Sequence, residues 1–279
     1  MKIAVLLTTY NRKQKTLSCL QSLRGQNAPA DVKVEIFLTD DDSVDGTPQA
    51  IQSQFPDVHL YKGNGSLFWA GGMRVTWQHA LHSDADYFLL LNDDTVLKEN
   101  ALTTLIGSID ITKKPAICIG STVDESTGKM SYGGSKLISY RKWNSQSVHS
   151  NTKYLHCDFG NANIMLVPRK IVDAIGILSD SYTHSLADYD YALSAKKAGF
   201  SVLVAPGFLG ACVDDHGNNW LPQKASFKQR IQYLKSPKGL AYKEYLHFIR
   251  SHFPLSYPSA FSKLWLKTLF PFLWETFKK

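Results

Sequence analysis

The stretch Tyr87-Phe88-Leu89-Leu90-Leu91-Asn92-Asp93-Asp94-Thr95 joins an apolar run of strand length to two adjacent acids. Ligands of open α/β sheets bind in the crevice beyond the strand ends, and carboxylate oxygens placed there suit a hard divalent cation. The same acids could instead cap the helix predicted at about 98–109, because Asp and Thr favour helix N-termini. The stretch therefore predicts a buried strand that ends in either an ion-binding edge or a helix cap.

Strand and helix patterns alternate around this stretch. Strands are predicted at 2–7, 32–38, 58–61 and 87–91, and helices at 13–23, 48–55, 73–82 and 98–109. A glycine-rich segment, predicted to be a loop, fills 63–72. Strands separated by helices of this length predict a parallel, doubly wound sheet over about the first 110 residues.

The second half of the chain is less regular. Strands are predicted at 115–120, 163–167 and 201–205, the last stopped by Pro206-Gly207. Turn residues at 125–134 indicate a hairpin or surface loop, and a helix is predicted at 188–198. Without a repeat or a low-complexity linker, no second independent domain is predicted before about residue 222.

Composition favours an ordinary globular enzyme or binding protein. A chain of 279 residues with 44% hydrophobic content can bury a core for one large domain, with or without an appendage. The four cysteines are far apart and form no C-x-x-C pair, so we expect neither a disulfide framework nor a zinc knuckle, and a reducing cytosol is the expected compartment. The apolar run at the N-terminus is too short for a signal peptide, and no stretch predicts a bilayer span.

The net charge of +7 is concentrated at the C-terminal end. Residues 222–279 hold eleven Lys and Arg against two acids, so the rest of the chain is slightly acidic. A nucleic-acid-binding protein would carry basic residues around its working crevice, whereas this crevice is acidic. We therefore expect no nucleic-acid partner.

The basic tail also has an amphipathic pattern. Apolar side chains recur at near-helical spacing, with Lys263 and Lys267 on another face, at Phe261, Leu264, Trp265, Leu269 and Phe272. Such a helix could lie on an anionic membrane surface. It could equally pack on the catalytic domain or on a sister subunit in a homodimer.

Three acidic groups need a common explanation: 40–42, 93–94, and Asp188 with Asp190. Two unit charges about 4 Å apart interact by roughly 4 kcal/mol at an effective dielectric constant near 20. Carboxylates gathered at one sheet edge would therefore oppose folding unless a cation or donor groups compensate them. An acidic crevice predicts a divalent metal, which would also admit an anionic diphosphate.

Three segments in this order resemble the inverting glycosyltransferases of family two: KIAVLLTTYNR at 2–12, TDDDSVDGT at 39–47 and LNDDT at 91–95. The likeness extends over most of 1–215, and it is closest to bacterial members that build surface polysaccharides, often rhamnosyl- or galactosyltransferases. It implies the GT-A fold, a Rossmann-like, mostly parallel α/β sheet flanked by helices. The nucleotide-binding half would span about 1–110 and the acceptor half about 111–221, with 222–279 as a helical tail.

The resemblance also implies a nucleotide site and a metal site. Thr8, Tyr10 and Arg12 would lie beside the nucleotide, and Asp40 would hydrogen-bond the pyrimidine edge unless it serves only in a turn. The family's Asp-x-Asp motif is here Asn92-Asp93-Asp94, so Asn92 could contact the ribose or a metal-bound water without adding charge. The expected metal is Mn²⁺ or Mg²⁺ on Asp94 and His216, although His216 could also be a solvated loop residue. The remaining predicted nucleotide contacts are Asp42, Gly71 and Asp93.

The segment 63–72 lacks the Lys-Ser or Lys-Thr ending of a P-loop. We expect Gly71 and Gly72, placed before a helix, to point their amides at an anion. Trp69 could offer a flat wall for a sugar or could pack in the core. Met73 and Arg74 complete the predicted sugar or acceptor contacts.

Inverting transfer needs a carboxylate that takes the proton of the acceptor hydroxyl. The resemblance assigns this role to Asp188, which could also cap its helix. The family usually places an acid before this position, whereas the chain has Ala187, so a neighbouring charge is missing. Asp190 is a second partner or an alternative base, and His184 could orient the acceptor.

The implied activity is metal-dependent inverting transfer of a hexose from a UDP- or dTDP-sugar to a glycan or lipid-diphosphate-linked acceptor, in the cytoplasm or at the inner face of the membrane. A non-catalytic sugar-nucleotide binder would keep Asp40 and Asp94 but tolerate loss of the base. A nucleotidyltransferase would also use a metal at a strand end. The chain lacks the basic glycine-rich phosphate loop near the N-terminus that would support that alternative.

Overall fold

A computed structural model describes residues 1–112, 114–214 and 225–272. Its strands are β1 (Lys2–Thr9), β2 (Lys33–Asp40), β3 (His59–Lys62), β4 (Tyr87–Leu91), β5 (Val96–Leu97), β6 (Ala116–Asp124), β7 (Lys129–Tyr132), β8 (Gly134–Leu137), β9 (Ser145–Val148), β10 (Leu155–His156), β11 (Phe159–Gly160), β12 (Ile164–Pro168) and β13 (Ser201–Ala211). Its helices are α1 (Lys13–Arg24), α2 (Thr47–Gln54), α3 (Phe68–Ala80), α4 (Ala101–Asp110), α5 (Arg169–Ile175), α6 (Ala187–Lys197), α7 (Phe227–Lys235), α8 (Tyr242–His252) and α9 (Tyr257–Leu269). A 3₁₀ turn, Pro254–Ser256, joins α8 to α9.

One large sheet organises the molecule, with the strand order β10-β13-β6-β12-β4-β1-β2-β3. The four strands of the first half, β4, β1, β2 and β3, pair in parallel, as the alternating pattern predicts. β12 runs antiparallel between β4 and β6, so the sheet is mixed. A small second sheet has the order β11-β8-β9.

The central strand β1 shows why the sheet is covered on both faces. Leu6 belongs to a core cluster with Trp77 of α3 and Tyr191 of α6, whereas Leu7 belongs to a second cluster with Leu20 of α1. Successive residues of a strand point to opposite faces, so a strand buried on both sides reads as a continuous apolar run. The predicted mostly parallel sheet between helix layers is confirmed.

Several element boundaries differ from the sequence prediction, and two of the differences change the assignment of a segment. Helix α3 begins at Phe68 rather than near 73, so residues 68–72 are helical and their assignment to a loop is wrong. Strand β13 continues beyond Pro206-Gly207 to Ala211, with register shifts against β6 between Val204 and Gly210. Such irregularities accommodate residues that a regular ladder excludes, which explains why the strand does not stop there.

The predicted helical C-terminal region is present. Phe248 and Phe253 are buried, and their rings lie with centroids 4.9 and 5.3 Å from that of Trp143. These aromatic contacts connect α8 to the same core cluster that contains Ala4 of β1. The division near residue 222 stays a prediction. Among the described residues, the structure has no helix of the length and apolar character needed to traverse a bilayer.

Candidate active site

The parallel register brings three predicted motifs to one edge of the sheet. Thr9 pairs with Asp40, and Leu6 pairs with Leu90, so β1, β2 and β4 end side by side. Hydrogen bonds connect the segments that follow these three strands. The Asp41 amide donates to the Thr9 carbonyl at 2.9 Å, and Nη1 of Arg12 donates to Oδ2 of Asp94 at 2.8 Å.

Asp40 carries a buried oxygen that no described residue satisfies. The residue is 3% exposed, and its Oδ1 accepts a hydrogen bond from the Ser43 amide at 2.8 Å. Its Oδ2 is buried without a hydrogen-bond partner. Buried polar atoms of native proteins are nearly always hydrogen-bonded, so this oxygen is suited to a donor supplied from outside the chain.

Asp41, which the sequence analysis did not single out, anchors the start of α3. Its carboxylate accepts hydrogen bonds from the amides of Gly65, Leu67 and Phe68 at 2.8, 2.9 and 3.2 Å. Phe68 has φ of 54°, in the left-handed region, so its placement depends on such contacts. A Cβ at Gly63 would lie 2.6 Å from Asp41 Oδ1, which explains the glycine.

Asn11 joins two loops beside this carboxylate and was also missed. Its amide donates to Ser43 Oγ, and its side-chain oxygen accepts from the Val44 amide, both at 2.8 Å. Its positive φ of 51° lies in the left-handed region, which Asn adopts more readily than most residues. Tyr10 is half exposed at this edge, and Asp42 is exposed and pairs with Lys62 at 2.9 Å.

The two acids after β4 have different surroundings. Asp93 is buried, accepts from Arg12 at 3.3 Å and from the Thr16 hydroxyl at 3.3 Å, and burial raises its pKa although Arg12 opposes this. Asp94 is less buried and also lies 3.7 Å from Lys15 Nζ. Helix α4 begins at Ala101 with Asn100 as its N-cap residue, so these acids do not cap it.

The donor set at the β4 end fits the expected metal. Carboxylate oxygens are hard ligands, and Mg²⁺ typically binds one or two carboxylates together with substrate phosphates. Asp94 could provide such an oxygen, while Arg12 and Lys15 compensate its charge in this structure. Within residues 1–112, 114–214 and 225–272, no three His, Cys, Asp or Glu side chains gather as a metal centre. His216 lies outside the described residues.

Asn92 and Trp69 contact each other. The indole Nε1 of Trp69 donates to the side-chain oxygen of Asn92 at 2.8 Å. Trp69 is half-buried and also packs against the core, so the residue combines a packing role with a fixed orientation at the site. The amide at position 92 is therefore a hydrogen-bond acceptor for the indole.

The residues of α3 that were predicted to contact sugar or phosphate are packed closely. Gly71 and Gly72 lie inside the helix instead of preceding it, and a Cβ at Gly72 would come 2.0 Å from the Thr8 hydroxyl. Gly72 thus permits close contact between α3 and β1. Met73 is fully buried, and Arg74 Nη1 donates to the carbonyls of Ser179 and Tyr182 at 2.9 and 2.7 Å. Their ligand contacts stay predictions.

Asp188 lies in the first turn of α6, close to the end of β4. Its Oδ2 accepts from the Ala162 amide at 3.1 Å and its Oδ1 from the Tyr189 amide at 2.9 Å. The next residue, Asn163, accepts from the Asn92 amide at 3.2 Å. Adjacent residues of one segment therefore connect Asp188 and Asn92, and a carboxylate in a first helical turn is stabilised by the helix dipole.

Asp190 instead connects α6 to the C-terminal region. Its Oδ1 accepts from the Tyr182 hydroxyl at 2.9 Å and lies 2.7 Å from His252 Nε2. His252 is the last residue of α8, so this contact could not be foreseen from local sequence. The predicted acceptor role of Asp190 stays a prediction beside this observed structural one.

Helix α8 also holds the loop before α6. Glu244 accepts from the Thr183 amide at 3.0 Å, and the Thr183 carbonyl accepts from the Ala70 amide of α3 at 3.1 Å. His184 follows in this loop, with its ring centroid 6.1 Å from that of Phe68. Glu244 was missed by the sequence analysis; that it is the sole acid in 225–272 could have drawn attention to it.

Two sequence comparisons identify relatives of the chain. Residues 4–176 match the family described as Glycosyl transferase family 2. Over 115 residues the chain is 30% identical to the protein named "Uncharacterized glycosyltransferase MG060 homolog" of Mycoplasma pneumoniae, covering 39% of this chain and 37% of that protein. The match thus spans just over a third of the length of this curated relative.

Solved structures show the same fold. The mannosyltransferase PcManGT from Pyrobaculum calidifontis, solved with GDP-Man and Mn²⁺, superposes with a TM-score of 0.57 at 16% identity, over 95% of this chain and 69% of that one. S. aureus TarS 1–349 with UDP gives 0.57 at 17% identity, over 96% and 79% of the two chains. The predicted GT-A fold is thereby confirmed.

Proposed function

The chain belongs to glycosyl transferase family 2, and from this premise we propose that it moves a hexose from a UDP- or dTDP-sugar to a hydroxyl group of a glycan or lipid-diphosphate-linked acceptor, with inversion. The observation that carries the proposal is the buried, unsatisfied Oδ2 of Asp40 at the edge where β1, β2 and β4 end. Membership of this family also argues against the alternative that the protein is a nucleotidyltransferase.

The nucleotide half of the site recognises a pyrimidine. The N3–H of uracil or thymine is a donor of the kind that Asp40 Oδ2 requires, because Oδ1 already accepts from Ser43. Thr8 near the end of β1, and Tyr10, Arg12 and Asp42 in the segments that follow β1 and β2, are the further proposed nucleotide contacts. The structural neighbour TarS, solved with UDP, supports a pyrimidine nucleotide, whereas PcManGT was solved with a guanine nucleotide.

Asp94, with His216 as a second ligand, would hold Mn²⁺ or Mg²⁺. When bound, the metal neutralises the diphosphate leaving group. Asp94 also meets Arg12 at 2.8 Å and Lys15 at 3.7 Å, so these cations offer further positive charge to the diphosphate. The Mn²⁺ in the PcManGT complex supports a divalent ion.

Asp188 acts as the general base. Its carboxylate takes the proton from the acceptor hydroxyl while the hydroxyl oxygen bonds to the anomeric carbon and the bond to the diphosphate breaks. The Ala162 and Tyr189 amides hold the two carboxylate oxygens in place, so the base is oriented without the acidic neighbour that Ala187 replaces. General base catalysis typically contributes about 10²–10⁴-fold in rate.

The biological setting follows from the acceptor class. We place the reaction in surface polysaccharide synthesis, such as O-antigen or capsule, with a rhamnosyl or galactosyl donor. The enzyme would work in the cytoplasm or at the inner face of the membrane. Acceptor selectivity would reside in the segments 63–74 and 129–163.

Thermal unfolding with a panel of nucleotide sugars tests the proposal. We expect UDP- or dTDP-sugars to raise the unfolding temperature with Mn²⁺ or Mg²⁺ present, because a ligand that binds only the folded state stabilises it. Asp40→Asn should lose this stabilisation, whereas the exposed control Asp173→Asn should keep it. Equal stabilisation by purine and pyrimidine donors would contradict the base assignment. Binding without transfer to any acceptor would indicate a sugar-nucleotide-binding protein.

A further inference from the structure

The C-terminal helices expose a continuous apolar surface, the α7–α9 patch, formed by Phe227, Leu266, Leu269, Phe270 and Phe272. Each of these residues is between 41% and 53% exposed. Arg230 joins the two ends of the patch, because Nη1 donates to the Leu269 carbonyl at 3.1 Å and the guanidinium carbon lies 5.9 Å from the Phe227 ring centroid. The rings of Phe270 and Phe272 meet edge to face at 6.2 Å.

The patch is separate from the apolar stripe that packs α9 onto the molecule. Ala260, Leu264 and Thr268 are buried on the inner side of the helix. Trp265 is half-buried, and its Nε1 donates to the Tyr242 hydroxyl of α8 at 3.4 Å. The predicted packing of this helix on the catalytic region therefore accounts for the inner stripe and leaves the α7–α9 patch facing outward.

The charge around the patch selects its partner. Residues 225–272 contain eight Lys and Arg against a single acid, Glu244, whose carboxylate accepts a hydrogen bond from the Thr183 amide. Lys228 and Lys263 are exposed on α7 and α9. A second copy seated on this patch would bring like charges together, whereas anionic lipid headgroups complement them.

We propose that the α7–α9 patch docks the protein on an anionic lipid bilayer. Basic helices with Leu and Phe on one face bind such interfaces by burying apolar side chains and attracting lipid headgroups. This docking rests on the proposed function in one respect, because a lipid-linked acceptor would lie at the membrane surface. Lys238, in the α7–α8 connection, places Nζ 5.9 Å from the ring centroid of Phe68 at the start of α3, so the docking helices adjoin the crevice.

Cosedimentation with vesicles, without donor or acceptor, tests the proposal on the full chain. We expect binding to phosphatidylcholine vesicles that contain phosphatidylglycerol, little binding to phosphatidylcholine alone, and release by high salt, which screens the charges. The double variant Leu266→Gln/Leu269→Gln should partition at least about tenfold more weakly, since two side chains no longer gain from burial. Ile111→Gln, at a residue that is 60% exposed at the end of α4, is the matched control and should bind like wild type.

A second double variant tests the role of the basic side chains. Lys228→Gln/Lys263→Gln should weaken binding only to the anionic vesicles. Absence of wild-type binding, or equal binding by the wild type and the leucine double variant, would overturn the proposal. A dimer in light scattering that the leucine double variant dissociates, without vesicle binding, would assign the patch to a second copy. Nucleotide-sugar stabilisation, measured in parallel without lipid, reports separately on sugar transfer.

Discussion

The ends of β2 and β4 each carry two adjacent acids that are largely buried, Asp40 with Asp41 and Asp93 with Asp94, and the two acids of each pair have different surroundings. After β2, Asp41 is bound by three backbone amides, whereas Asp40 keeps one buried oxygen unsatisfied. After β4, Asp93 is buried between Arg12 and Thr16, whereas Asp94 is less buried and faces Arg12 and Lys15. At each edge, one acid serves the protein framework and the other remains suited to a ligand.

The two ends also differ in how charge is compensated. Backbone N–H groups at the start of α3 and in the segment before it donate to Asp41. Its charge is therefore balanced by fixed dipoles that need not rearrange when a nucleotide binds. At β4 the balance comes from Arg12 and Lys15, side chains on the loop and helix after β1, which can change partner. The β2 end is therefore a fixed recognition surface, and the β4 end is an adjustable one.

The largest expected effect is a loss of turnover on substitution of Asp188, which lies in α6 and belongs to neither acid pair. Asp188→Asn should lower turnover by about 10²–10⁴-fold, because the amide cannot take the acceptor proton. Stabilisation by a nucleotide sugar should remain, which separates chemistry from binding. Steady-state kinetics and thermal unfolding of this variant and of Asp173→Asn measure the two effects. An active Asp188→Asn enzyme would remove this residue from the mechanism.

The assignment of Asp41 to the framework is tested by Asp41→Ala. Three backbone amides, of Gly65, Leu67 and Phe68, would lose their acceptor, so the free energy of unfolding should fall by about 3 kcal/mol. Chemical denaturation measures this loss. The corresponding change at Asp40, to Asn, should leave the free energy of unfolding within about 1 kcal/mol of wild type. Equal losses for the two variants would erase the proposed division at the β2 end.

The ligand role of Asp40 is tested by donor affinity. In Asp40→Asn the side-chain oxygen can still accept from Ser43, but the amide nitrogen would then face the N3–H donor of the base. Leaving two donors opposed should weaken binding of UDP or dTDP by roughly tenfold or more. Calorimetric titration measures the affinity, with the exposed Asp173→Asn, remote from the proposed nucleotide contacts, as the control. Unchanged affinity in Asp40→Asn would assign this acid to the framework as well.

The smallest expected effect is on the pH dependence of the free energy of unfolding, to which Asp93 at the β4 end contributes. Burial raises the pKa of Asp93 above its value in the unfolded chain, so the folded protein binds this proton more tightly. Its contribution to stability is complete below the unfolded pKa of about 3.9 and is lost as pH rises through the raised folded pKa. Asp93→Asn should flatten this dependence in denaturation curves taken without ligand, whereas Asp94→Asn should keep it. The same slope in the wild type and in Asp93→Asn would contradict the assignment.

Local patterns predicted much of the fold and the location of the site. The apolar run before Asn92 identified β4, and the alternation of strands and helices identified the parallel half of the sheet, because periodicity reports burial directly. The start of α3 was missed because Gly71 and Gly72 are read as loop residues. The small size of Gly72 instead permits close contact with Thr8 of β1, more than sixty residues earlier in the chain.

The roles within each acid pair could not be read from adjacency. Asp41 finds its amide donors more than twenty residues away, at Gly65 to Phe68, and Asp190 meets His252 from α8. Glu244 likewise reaches Thr183 from a region that resembles a simple appendage in sequence. No spacing rule connects these residues. The contacts of Asp190 and Glu244 form only because α8 packs against α6 and the loop before it.

The order of residues by itself determined that acids would meet at one sheet edge, because parallel strands deliver their ends to the same side. It also determined that the last helices would be basic and amphipathic. Only the tertiary structure decided which acid of each pair is bound by the protein and which apolar residues of α9 face outward. A side chain's hydrogen-bond partners and its exposure are set by segments distant in the chain, and those segments become neighbours only when the core is packed.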